Sequence, residues 1–526
     1  PLIDQILDLV WDRLFPGGFP GGGDGKNICD PALGCGYFPL RLVERLLAGH
    51  PSRLPDIRRW AANHLYGADS DAGALFMAKT LLWLALSGRG EEFIPPPGRF
   101  RLGDSLLGPG FAGIPGFGTA AHPDGAPIVD WPAAFPEIAA GGGFDIMVGN
   151  PPYEALTNFR RRPERERLAR ALRQSGHYRY SLHGQVNLYR CFIERALDLL
   201  RPGGVLALVV PLSLARDASS LPLRRRLLES EAADDWSFFP ESDRLFAGVT
   251  QSLCVFRAVR GGGGAGKLRI RQGGAVREWS LAKKNAWGGD PILPFPDEAE
   301  NDLCAWLRSH CRTSLGEAAD LRVGEVDQTV YRDCMLAEDS GCLLARGTHL
   351  SPFRLDLDPA PGKARFLDRE RFLAMRGGMA EAVAGRAARF RVVQLGIRNM
   401  LSRPRLIAAL APPGVFIGNS LNVLVPKGGL PLESLAGLLN SRLLDRLFRL
   451  GSGNNNINLA EVRRLPFPEH PDPVLALAVA DAYRLCAAFA KDAPADLADA
   501  RGRLDAAVED FYRLPADLRK ILAGQA

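Results

Sequence analysis

Cysteine is sparse and unpatterned. There are nine, an odd number, with no Cys-x-x-Cys pair and no Cys/His spacing suited to a metal ion. That predicts no zinc site and fits a reducing compartment, the cytoplasm. Long apolar runs are also missing. The cleanest, Val205 to Leu214, contains Pro211 and falls short of the roughly 20 residues a membrane helix needs, so no membrane partner is expected. The N-terminus, Pro-Leu-Ile-Asp-Gln, lacks a basic segment and predicts no signal peptide. Charge of one sign does not dominate: 65 Lys and Arg stand against 59 Asp and Glu, a net +6. The cations are mostly arginine, which suits phosphate recognition and equally reflects a GC-rich coding bias.

What is present is length and an ordinary globular composition. The chain has 526 residues, 46% hydrophobic and 24% charged, enough for two to four domains at roughly 100–200 residues each. Disordered, collagen-like and disulfide-scaffold classes are excluded. Residues 1–260 alternate helical patterns (Phe38–Leu47, Ala72–Leu86, Leu188–Leu200) with short apolar runs (Asn27–Asp30, His64–Asp69, Phe144–Val148, Gly204–Val210, Ser252–Arg257). That alternation predicts a doubly wound α/β domain on a parallel sheet. Gly108–Gly143 reads as a long interrupting loop. Gly261–Gly264 reads as a linker. Residues 265–470 then show mixed short strands, and 471–526 two or three helices.

Four segments of the first domain carry chemistry. Asp30-Pro31-Ala32-Leu33-Gly34-Cys35-Gly36 is a strand ending in an acid, followed by a Gly-x-Gly turn that opens a helix. Such glycines admit a ligand close to the backbone at the carboxyl end of the first strand. Asp69 ends the second strand, where it suits ribose hydroxyls; Asp71, two residues on, reads as a helix N-cap. Asp104 follows a third short strand and either accepts a hydrogen bond from an adenine amino group or caps a turn. The fourth segment is the most specific: the strand Phe144–Gly149 runs into Asn150-Pro151-Pro152-Tyr153. The prolines fix the backbone and remove donors. An Asn oxygen and a proline carbonyl then accept both hydrogens of an amino group, and the Tyr153 ring offers a stacking face.

These segments resemble the gamma-class DNA adenine-N6 methyltransferases (TaqI-like and type IIG). The family's first motif is similar to residues 30–38, with Leu33 in place of Cys and Cys35 in place of Ser. Residues 1–10 resemble its N-terminal segment. Further likeness lies in Gly184–Tyr189, Leu200–Val205 and Leu245–Ser252, whose Phe246 the resemblance places on the second face of an extruded adenine. Arg346–Leu350, Ile417–Asn422, Leu438–Ser441, Ile457–Leu459 and Leu465–Pro468 are similar to type IIG specificity domains.

The resemblance implies a Rossmann-like class I methyltransferase domain (1–260), a mixed α/β target-recognition domain (265–470) and a helical tail (471–526). It implies S-adenosylmethionine as cofactor, contacted by Asp30, Pro31, Ala32, Gly34, Gly36, Asp69, Asp104 and Asn150. Asn150, Pro151, Pro152, Tyr153 and Phe246 are the implied catalytic set, and no metal is needed. Double-stranded DNA is the implied partner, alongside a restriction endonuclease or other defence-system subunits. Arg160–Arg162, Arg165 and Arg167, and Arg224–Arg226, read either as solvated helix faces or as phosphate contacts. The rival readings are the methyltransferase part of a bifunctional restriction enzyme, an RNA or protein-glutamine methyltransferase, a phage-exclusion methyltransferase and a non-catalytic DNA-binding subunit.

Overall fold

The apolar runs punctuated by Gly and Asp become the strands of one large sheet. These are β1 (Ile28–Asp30), β2 (Leu65–Asp69), β3 (Phe100–Leu102), β4 (Phe144–Gly149), β5 (Leu200–Pro211), β6 (Asp235–Phe239), β7 (Leu253–Val259), β8 (Lys267–Gln272) and β9 (Ala275–Ser280). The computed structural model describes residues 2–19, 25–87, 99–108, 127–156, 163–239, 252–264, 266–272, 274–280, 298–357, 366–398, 402–452, 457–490 and 494–524. The strand order is β3-β2-β1-β4-β5-β7-β6-β8-β9. Strands β1 to β5 pair in parallel, whereas β7 is antiparallel to both β5 and β6. The sheet is therefore parallel-dominated rather than wholly parallel. Successive strands are added one way from β1 to β3 and the other way from β4 to β5, and such a switch point between β1 and β4 opens a crevice beyond the strands' carboxyl ends.

Helices connect the strands: α1 (Leu2–Leu14), α2 (Tyr37–Gly49), α3 (Leu54–His64), α4 (Ala72–Leu86), α5 (Trp131–Ala134), α6 (Pro136–Ala140), α7 (Pro163–Gln174), α8 (Leu188–Leu199), α9 (Ser213–Arg216) and α10 (Leu221–Glu229). Helix α1 buries Ile6, Leu7, Val10 and Leu14 in one cluster with Ile146, Val148, Val205 and Ala207 of the sheet. Each large apolar side chain so buried contributes about 1.5–3 kcal/mol. Asp71 caps α4 through the amides of Gly73 and Ala74, as its position in the sequence predicts. The expected loop at Gly108–Gly143 is partly helical: α5 and α6 place Trp131 and Phe135 against Phe144 and Tyr66. Residues 109–126 lie outside the described set.

Two compact units divide the chain, Pro1–Asn285 and Ala286–Ala526. The boundary expected at Gly261–Gly264 falls inside the first unit. There the glycines make a turn, with Gly261 and Gly263 at positive φ, which delivers the chain to β8 alongside β6. In the second unit the strands Ala319–Val323, Leu421–Pro426, Arg391–Leu395 and Ala408–Ala411 form an antiparallel sheet in that order. The tail supplies three helices, Pro473–Phe489, Pro494–Phe511 and Ala516–Ala523. Val479, Leu504 and Leu518 share a core with Leu424, Leu435 and Leu438, so the tail is part of this unit and not a separate appendage. Arg346–His349 is stitched to Ile417–Asn422: Arg346 Nε donates to Gln328 Oε1, whose amide donates to Asn419 Oδ1, and the Gly347 amide donates to Ser420 Oγ. Among the described residues no helix is long and apolar enough to cross a membrane.

Helix α8 organises the segment before it. Arg190 and Glu194, one turn apart, are each 1% exposed. The Arg190 guanidinium donates to the carbonyls of His183, Gln185 and Ser219. The Glu194 carboxylate accepts the amides of Arg179, Tyr180 and Ser181. Backbone groups of this irregular segment, partly buried around Ser181, thus find charged partners. Glu194→Ala should destabilise the first unit by about 3 kcal/mol, since it strands three amides. Arg170→Ala, which removes an exposed pair with Glu166, should cost under about 0.5 kcal/mol. Urea unfolding of the two variants beside the parent checks both values.

Candidate active site

A cavity of about 560 Å³ opens where β1, β2, β3 and β4 end. Pro31 and Ala32 reach it after β1, Asp69 and Ser70 at the end of β2, Gly103 to Leu106 after β3, and Asn150 and Pro152 after β4. Leu156, Leu168, Leu188 and Phe192 supply apolar wall, together with Glu154, Glu164 and Arg165. Six of the residues expected from sequence therefore converge: Pro31, Ala32, Asp69, Asp104, Asn150 and Pro152. Phe246 lies outside the described residues, as do Pro1 and Arg160–Arg162.

The remaining expected residues stand behind the lining. Gly34 and Gly36 adopt positive φ, 53° and 76°, in the turn that opens α2. A Cβ on Gly36 would sit 2.7 Å from Ala78 Cβ, so this glycine serves both the turn and the close approach of α2 to α4. Asp30, expected on the cavity surface, is 3% exposed and accepts the Ala32 amide at 3.0 Å. A Cβ at Gly149 would meet Asp30 Oδ1 at 2.7 Å. Asp30 is thus packed under the loop it introduces. Pro151 is buried and Tyr153 half-buried.

Each acid at the cavity is partly committed to backbone. Asp69 Oδ2 accepts the Gly34 amide at 2.7 Å and Oδ1 the Asp71 amide at 2.9 Å, clamping the β1–α2 turn. Asp104 Oδ1 accepts the amides of Leu106 and Leu107 at 2.7 and 2.9 Å, the turn-capping alternative. Ser105 Oγ donates to the Pro31 carbonyl at 2.6 Å and ties the β3 loop to the β1 loop. Sequence reasoning missed Ser105 and Gly149 because their roles are contacts between distant segments. Glu154, which pairs with Arg165, was flagged by nothing except its place beside Tyr153.

Asn150 is exposed, and its Oδ1 accepts the Tyr153 hydroxyl at 2.5 Å. That hydroxyl also lies 3.3 Å from the Val209 carbonyl. Burial pushes the Tyr153 phenol well above its usual range, so it remains a donor and orients the Asn150 amide. The carboxamide oxygen has a second lone pair for another donor.

The arginine runs divide. Arg224 is buried and donates to the carbonyls of Leu214 and Asp217. Arg226 is paired with Glu231 and Asp198. Neither is a solvated face nor a phosphate contact; both support the fold around α10. Arg167 is exposed on α7.

Burial pushes the Asp30 carboxyl up to about 7; the Ala32 amide opposes this and the Asp69 charge adds to it. The folded state therefore holds a proton that the unfolded chain, near 3.8, has released. The stability from this site is fully present below about pH 4 and lost as pH rises to about 7, with a slope approaching 1.4 kcal/mol per pH unit. Asp30→Asn should flatten that dependence. Melting temperatures of parent and variant across pH 5–8 check it.

Comparison with known proteins follows the same part of the chain. Residues 63–246 match the Eco57I restriction-modification methylase family. The chain is 34% identical over 160 residues to the type II methyltransferase M.TthHB8I of Thermus thermophilus, an alignment covering 29% of this chain and 35% of that protein. The chain thus spans about a third of that relative's length. Among solved structures it is similar in fold to the type IIL restriction-modification enzyme MmeI bound to DNA (TM-score 0.57, 12% identity, covering 99% of this chain and 74% of that one). It is also similar to a nuclease-deletion mutant of the type ISP enzyme LlaGI with a DNA substrate mimic (TM-score 0.54, 11% identity, covering 93% and 46%). Residues 63–246, which carry β2 to β5 and the Asn-Pro-Pro-Tyr turn, are thus the part of the chain that is similar to this restriction-modification methylase family.

Proposed function

We propose that the protein transfers a methyl group to N6 of an adenine extruded from double-stranded DNA. The observation that carries this reading is the position of Asn150, directly after β4 and on the cavity formed by the loops after β1, β2 and β3. The cavity fits the donor: about 560 Å³ lies in the range of small-molecule sites, and Asp69, Asp104, Glu154 and Glu164 outnumber Arg165 in its lining, which favours a cationic ligand. Asp69 and Asp104 would hold the nucleoside part and the Pro31-Ala32 loop the amino-acid part. When bound, S-adenosylmethionine supplies an electrophilic methyl group on a sulfonium.

The chain's own contribution is positioning. An exocyclic adenine nitrogen is a poor nucleophile because its lone pair is delocalised into the ring. The free lone pair of Asn150 Oδ1 and the Pro151 carbonyl would accept its two hydrogens and draw the nitrogen toward tetrahedral geometry. Tyr153, already donating to Asn150, keeps that oxygen aimed. Extrusion costs a few kcal/mol; stacking on Tyr153 and Phe246, at about 1–3 kcal/mol per base, offsets much of it. The second unit would choose the sequence. The fold likeness to MmeI along 99% of the chain favours a second reading of the whole, as the methyltransferase and specificity part of a bifunctional restriction enzyme.

Incubation with radiolabelled S-adenosylmethionine and unmethylated DNA, followed by separation of nucleosides, should place label in N6-methyladenine. Label in N4-methylcytosine would correct the base, and no label in DNA would overturn the substrate. Asn150→Ala should lower transfer at least a thousandfold while leaving cofactor affinity, read by calorimetry, within about threefold. Tyr153→Phe should lower kcat less than tenfold and leave cofactor affinity unchanged, because it removes the aiming bond and keeps the ring.

A further inference from the structure

The second unit holds its own cavity, about 350 Å³. Arg403, Arg442, Arg446, Arg449 and Arg501 line it, with Asp445 and Asp505 as the acids of the lining. Both acids are already engaged. Asp445 Oδ1 accepts the amides of Arg405 and Leu406 at 2.6 and 2.8 Å, and its Oδ2 lies 3.0 Å from Arg449. Asp505 Oδ1 accepts the Arg442 amide at 2.7 Å, and Arg442 itself pairs with Glu509 at 3.0 Å.

The lining therefore carries a clear excess of positive charge. Arg501 lies over an aromatic ring, Phe353, at 5.3 Å and shares the acid Asp505 with Arg442, and Arg403 is exposed. Arg449 is lowered in pKa first by burial, against the Asp445 charge, and further by the neighbouring Arg403 and Arg446 cations. Gathering guanidinium groups around a partly desolvated cavity is unfavourable until an anion enters. Their planar forks match phosphate oxygens.

We propose that this cavity is a binding site for phosphate groups, with Arg403 and Arg501 as the principal donors. The phosphate belongs either to a nucleic-acid backbone or to a free phosphorylated ligand. The first source rests on the DNA methyltransferase reading, whereas the site itself does not.

The test uses the full chain and its Arg403→Ala/Arg501→Met variant, which keeps the packing on Phe353. Sodium pyrophosphate titrated calorimetrically should bind the parent and bind the variant at least tenfold more weakly. In phosphate-free buffer the variant should melt no lower than the parent, because mutually repelling charges have been removed; that separates loss of a ligand from loss of the fold. No pyrophosphate binding, or equal binding by the two proteins, would overturn the site. Anisotropy of a labelled duplex across salt concentrations then assigns the source. A tenfold loss of duplex affinity with a shallower salt dependence identifies backbone phosphate, and unchanged duplex affinity identifies a free ligand. Parent protein that binds pyrophosphate yet neither binds nor methylates DNA would leave the site standing and remove the DNA reading.

Discussion

Everything at the cavity depends on how closely β1 and β4 approach at their carboxyl ends. Gly149 has no side chain, so the Asp30 carboxyl fits against β4 where a Cβ would stand 2.7 Å from its oxygen. That contact sets the β1 loop, with Pro31 and Ala32, against the Asn-Pro-Pro-Tyr turn. Asp69 then clamps the same loop through Gly34, and Ser105 ties the β3 loop to Pro31. The acidic side chains at the base of the site thus work first as backbone acceptors, which ties the loops around the cavity to one another.

A second set of buried charges holds the opposite wall. Leu156 and Leu188, both of which line the cavity, are joined to their neighbours by Leu156 N to Val186 O and Leu188 N to Glu154 O, each 2.9 Å. Those bonds run between the chain just after Tyr153 and the start of α8. Arg190 and Glu194 in turn fix the loop before α8. The Asn-Pro-Pro-Tyr turn is therefore bracketed on one side by Asp30 and Asp69 and on the other by α8, and of these acids only Asp69 lines the cavity. The second unit uses arginine in both ways: Arg391 is buried against Glu325 at 2.9 Å, whereas the guanidiniums around Asp445 and Asp505 exceed the acids beside them.

The broad architecture was legible because it is written in local pattern. Short apolar runs ending in Asp or Gly mark strands whose two faces are both covered, and helical periodicity between them fixes the winding. The Asp71 cap and the helices of the tail follow from the same local rules. The antiparallel β7 and the extension by β8 and β9 were not legible, since strand direction and partner depend on pairings between distant segments. Gly261–Gly264 shows why: four glycines read as a linker, yet the same flexibility makes a turn inside a sheet.

By itself the sequence determined that an Asn-Pro-Pro-Tyr turn follows an apolar strand, that Gly34 and Gly36 open a helix, and that acids end the neighbouring strands. Those statements concern residues adjacent in the chain, where backbone sterics and turn chemistry decide. The tertiary structure decided which of these groups meet the cavity. It buried Asp30, turned Asp104 and Asp69 onto backbone amides, aimed the Tyr153 hydroxyl at Asn150, and made Arg224 and Arg226 internal supports. Burial and hydrogen-bond partners are set by what the rest of the chain packs against a residue, and no local pattern carries that information.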